Sequence, residues 1–186
     1  TYVIFVIGLC LLATIGSTLY PVRMASRITT PSLERKWKVT SKPKGDEWFI
    51  PMPFTASIYE AMGILAFMNE FFQAHKVEHS GASLIVRDSA FVKEGEAMYV
   101  TATVVLPPYD AHIRQTARIV TTIMKEGRVS FGLDIKKEAG MRDPWVRSNY
   151  VFANAVRSQL LLWRALSPPD KERYIKIGEG ATPSAG

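Results

Sequence analysis

Cysteine is almost missing: Cys10 alone among 186 residues excludes an intrachain disulfide framework and any cysteine-based zinc site. Histidine is nearly as scarce, and His75, His79 and His112 stand at no metal-ligand spacing. Glycine-rich phosphate loops, a Gly-x-Ser-x-Gly elbow and internal repeats are also lacking. No metal and no cofactor is therefore expected. At this length the chain holds one ordinary domain with appendages, which excludes a two-enzyme chain or a long repeat array.

Charge is lacking altogether over residues 1–22. Residues 2–20 are apolar apart from small residues and hydroxyls, and at ~1.5 Å per residue such a run crosses a hydrocarbon core of roughly 30 Å. It reads as a transmembrane helix over residues 1–21, with Tyr2 and Tyr20 at the interfaces and Pro21 ending it. A cleaved signal wants a basic stretch ahead of a shorter apolar core, and neither is seen here. Cys10 lies within this run with no base beside it and reads as a packing residue. Ala13 and Ser17 form a small-xxx-small pair that a partner helix could approach.

What is present in excess is positive charge, and it is local. The chain carries a formal net charge of +6, and residues 22–44 hold seven basic residues against Glu34 alone, so the remainder is balanced. Residues 22–45 read as a basic juxtamembrane linker in which Arg23, Arg27, Arg35, Lys36 and Lys38 meet anionic lipid headgroups, at ~1 kcal/mol per residue. By the positive-inside tendency this is a single-pass integral membrane protein with its C-terminal bulk on the cytoplasmic, matrix or stromal side. A neutral domain beyond the linker argues against nucleic acid as a partner. Trp37 and Trp48 fit either the membrane interface or a core.

Beyond the linker the pattern changes twice. Residues 58–75 are apolar around most of a helix, preceded by Ser57 and Glu60 at capping-box spacing. Four alternating stretches follow, 83–92, 96–106, 113–124 and 129–135, joined by short turns at Gly95, Pro107-Pro108 and Gly127. An antiparallel meander with one face needing cover is expected, and the apolar helix is the obvious cover. Residues 145–166 form an amphipathic helix, broken at Ser167-Pro168-Pro169-Asp170, where a short helix can start.

A long apolar helix followed by four antiparallel strands resembles the hotdog fold. The run from Ala82 through Gly95-Glu96 to Val105, and Glu126-Gly127-Arg128-Val129 after it, are similar to strands and hairpins of hotdog acyl-CoA thioesterases and hydroxyacyl-carrier-protein dehydratases. The resemblance covers residues 46–138 and is one of pattern. It implies an α+β hotdog-like domain over residues 46–140, a central helix wrapped by an antiparallel sheet; the C-terminal amphipathic helix and tail, residues 141–186, lie beyond that domain. It also implies sheet-to-sheet pairing with a second hotdog copy or partner. Glu60-Ala61-Met62-Gly63 resembles the run that carries the dehydratase carboxylate. The family's paired histidine is missing, however: Pro51-Met52-Pro53-Phe54 stands in place of its Gly-His-Phe-Pro-Gly motif, and the thioesterases' His-Gly-Gly is missing too. The expected function is a non-catalytic accessory or scaffold subunit of a larger membrane complex, docking through the span and the 145–166 helix. The alternative is an acyl-thioester enzyme with Glu60 as its catalytic base, or an acyl-chain-binding module.

Overall fold

In the computed structural model, residues 2–4, 6–7, 37–76 and 84–180 are described, and the chain divides into two compact units, Thr1–Lys38 and Val39–Gly186. In the first unit Tyr2, Val3, Ile4, Val6 and Ile7 are helical and exposed. The rest of the expected span, and Arg23, Arg27, Arg35 and Lys36, lie outside the described residues; Lys38 is exposed. Among the described residues no helix is long and apolar enough to cross a membrane.

An alternation disguised by prolines opens the second unit. In β1, Glu47–Ser57, Trp48, Ile50, Met52, Phe54 and Ala56 point into the core while Pro51 and Pro53 take outward positions. This strand corrects the expectation of four strands: the sheet has five, β1, β2 (Ile85–Glu94), β3 (Ala97–Leu106), β4 (Ile113–Ile123) and β5 (Arg128–Ala139), all antiparallel in the order β1-β5-β4-β3-β2. Proline lacks the N–H that a central strand must donate, and it sits here on an edge strand, where the pairing with β5 slips between Pro51 and Thr55.

The helix before the meander is shorter than its apolar run. Ile58–Glu60 make a 3-10 turn, with Ile58 and Tyr59 exposed, and α1 follows as Ala61–Ala74. Its core-facing residues run almost around the helix because it is covered twice: by β2, β3 and β4 on one side and by a C-terminal helix on the other. That cover is α3, Pro168–Glu179, begun by Ser167, whose Oγ accepts from the Asp170 N–H at 3.3 Å with prolines filling the first turn. Between the sheet and α3 comes α2, Arg142–Leu162, continued by a 3-10 turn at Trp163–Ala165.

The apolar stripe of α2 is spent inside this domain. Trp145, Phe152, Ala153, Val156 and Leu160 are all buried, and Trp145 meets Trp48 of β1 edge-on at 5.9 Å. Tyr150 and Val151 are exposed, although the Tyr150 ring stands edge-on to Trp48 at 5.6 Å. Trp48 belongs to the core, 1% exposed, its indole donating to Ser41 Oγ at 3.0 Å. Arg142 donates to the carbonyls of Gly45 and Pro43, which fastens the last residues before β1 to the domain.

Candidate functional site

Glu60 ends the 3-10 turn that leads β1 into α1. The expected capping box is half formed. Ser57 Oγ accepts from the Tyr59 N–H at 3.3 Å, but the Glu60 carboxylate makes no cap. Its Oε1 instead accepts a hydrogen bond from Trp163 Nε1 at 3.2 Å, across 103 residues of chain. A 3-10 entry rotates residue 60 out of the position that would reach back to Ser57, and the indole takes up the carboxylate.

Aromatic groups pack around the Trp163 indole that holds this carboxylate, while Glu60 itself is half-buried. Trp163 is 2% exposed, with ring centroids 5.8 Å from Phe67 and 6.2 Å from Tyr174. A Cβ placed on Gly63 would lie 2.6 Å from Ile175 Cγ1 and 2.9 Å from Trp163 Cη2. One turn further along α3, a Cβ on Gly178 would lie 2.4 Å from the Met62 carbonyl oxygen. Two glycines thus let α3 press its backbone onto the first turns of α1. Burial and a hydrogen bond to Glu70 push the Tyr174 hydroxyl above the ordinary tyrosine pKa, so it stays neutral at that joint. In the acyl-thioester enzymes that the sequence resembles, the helix N-terminus faces a polarised carbonyl. Here Trp163 and Ile175 lie against Gly63, in the first turn of the helix.

Neither described histidine is bonded to Glu60. His75 closes α1 and its Nδ1 donates to the Phe71 carbonyl at 2.8 Å; His112 precedes β4; His79 lies outside the described residues. Among the described residues no group of three His, Cys, Asp or Glu side chains could hold a metal.

The outer face of the sheet carries two cavities that the sequence did not single out. One, of about 250 Å³, is lined by Glu47, Asp134, Arg118 and Lys136 with Thr116, a balanced set of charges. The other, of about 530 Å³, holds Arg87, Arg114, His112 and Tyr109. Beside it Arg114 Nε donates to Glu138 Oε2 at 2.9 Å, and Thr116 Oγ1 donates to Glu138 Oε1. The Thr116 hydrogen bond, followed by Arg114, holds the Glu138 carboxyl below its ordinary pKa. Alternation within β4 did place Arg114 outward. Its convergence with Arg87 and His112 depends on backbone irregularities that the pattern does not encode.

No family model, curated protein or solved structure matches the chain. The five-stranded antiparallel sheet laid over a long helix is an α+β architecture compatible with a hotdog-like fold.

Proposed function

We propose that this is a membrane-anchored, non-catalytic hotdog-domain accessory subunit of a larger membrane complex. The packing around Glu60 carries the reading: its carboxylate is held by the Trp163 indole, under a helix seated on α1 through Gly63 and Gly178. A general base must be free to take a proton from its substrate, whereas the Glu60 carboxylate accepts the Trp163 N–H, and the space beside Gly63 is filled by Trp163 and Ile175. The anchor rests on the uncharged run at residues 1–22 and the basic linker after it. The exposed apolar helical residues Tyr2, Val3, Ile4, Val6 and Ile7 accord with a lipid environment.

Purification of the full chain in mild detergent tests this, with acyl-CoA hydrolysis and enoyl hydration assayed on the same preparation. Stoichiometric co-purifying subunits and no turnover are expected. Turnover abolished by Glu60→Gln establishes the enzyme instead, and a clean monomer or homodimer overturns the accessory role.

A further inference from the structure

A lateral row of residues crosses four strands on the outer face of the sheet. Ile85 opposes Val105, Val105 opposes Arg114, and Arg114 opposes Ala139. Arg114 is the one long side chain in that row, standing over a short aliphatic floor.

The pairing slips on both sides of it. On β2 the register with β3 jumps between Val86 and Asp88, which leaves Arg87 as the extra residue of a bulge. On β5, Arg114 and Gln115 pair with Ala139 and Lys137, which leaves Glu138 as the extra residue. A bulge bends its strand and re-aims the side chain it carries. At the end of the row the 3-10 turn Tyr109–Ala111 stops on His112 in the left-handed region, φ 50°, an uncommon conformation for a residue with a Cβ. The outcome is the cavity of about 530 Å³ walled by Arg87, Arg114, His112 and Tyr109.

Its electrostatics differ from those of its neighbour on the sheet. The smaller cavity pairs two carboxylates with two cations, whereas among the described residues no carboxylate lines this one, neither Asp88 nor Asp110 included. Glu138 accepts from Arg114 Nε at 2.9 Å, which orients the guanidinium beside the cavity. Arg87 and Arg114 stand on β2 and β4 with β3 between them, about 10 Å apart along the sheet at two strand spacings. Two long side chains converging from opposite sides suit a tetrahedral group with several terminal oxygens. A lone carboxylate is satisfied by a single guanidinium fork.

We propose that this cavity binds the phosphate group of a phosphate ester, with Arg87 and Arg114 as its two clamps and His112 as a third donor. The phosphate can belong to a soluble metabolite or to a phospholipid headgroup, and the test separates the two. Full-length chain in neutral detergent is titrated by calorimetry with glycerol 3-phosphate and, separately, with dihexanoyl phosphatidic acid. Saturable binding of at least one probe is expected. Equal binding of both identifies a soluble ester as sufficient, and binding of the phosphatidic acid alone identifies a headgroup site. Arg87→Gln and Arg114→Gln each weaken binding about tenfold. Arg114→Lys weakens it as well, because an ammonium lacks the fork, and Lys93→Gln on the same strand as Arg87 leaves it unchanged. The proposal is overturned if neither probe binds a chain with native near-UV circular dichroism, or if binding survives Arg87→Gln or Arg114→Gln undiminished.

Discussion

Gln115 is the residue at which alternation and chemistry part company. It shares the inward parity of Ile113, Ala117 and Ile119 on β4 and is fully buried, although it is polar. Its burial is tolerated because α2 supplies partners. Gln115 Nε2 donates to Asn149 Oδ1 at 2.9 Å, while its Oε1 accepts from Asn149 Nδ2 at 2.8 Å and from Trp145 Nε1 at 2.7 Å. Asn149 Nδ2 donates in addition to the Trp145 carbonyl. Such a network fixes one seating of α2 on the sheet, since a shift of one residue along the helix leaves buried amides without partners. Asn149→Ala strands the Gln115 amide N–H in the core and is expected to cost about 3 kcal/mol, read as a lowered urea midpoint at unchanged slope. Replacing both residues with leucine should cost less than the sum of the two single changes, which a double-mutant cycle measures. The inward position of Gln115 was legible in its parity. Its partner, 34 residues later on a helix, was not.

Among elements, those governed by a single period were the easiest to read. β2, β3, β4 and β5 lie where alternation placed them, and Gly95 and Gly127 take the positive φ that their hairpins require. β1 escaped notice because Pro51 and Pro53 look like breakers, yet every second residue around them is apolar and buried. The start of α1 was read one turn too early because Ser57 and Glu60 have capping-box spacing, and a local rule cannot foresee an indole arriving from residue 163. The seating of α3 on α1 is likewise invisible to periodicity, because it depends on two glycines meeting a neighbouring backbone and a pair of side chains. Gly178→Ala places a methyl 2.4 Å from the Met62 carbonyl oxygen. It should force the helices apart at about 2–3 kcal/mol, seen as a fall in the melting temperature of roughly 4–12 °C by calorimetry.

At the scale of the whole molecule, charge and structure divide the chain differently. The basic excess ends near Lys44, while the compact unit begins at Val39, so residues 39–44 carry linker charge but pack with the domain. Ser41, Pro43 and Gly45 are held by Trp48 and Arg142. A fragment of residues 39–186 should therefore unfold in one cooperative step, with far-UV circular dichroism and tryptophan fluorescence tracing the same transition. A fragment begun at residue 46 loses those contacts and should melt at a lower temperature. Two non-coincident transitions in the longer fragment would contradict this division.

The prolines of β1 also govern growth. A sheet extends indefinitely only when each edge can template the next strand, and an array of copies needs both edges open. Along β1 two donors are missing within three residues and the register is already slipped, so a newcomer laid there meets a broken row. At the opposite edge, β2 gives its Val86 N–H to His75 and its Ser89 carbonyl to Gln73, which leaves only the stretch toward Glu94 unengaged by α1. A strand added at the β1 edge would have to begin on a row broken by Pro51 and Pro53, which disfavours growth of the sheet from that side.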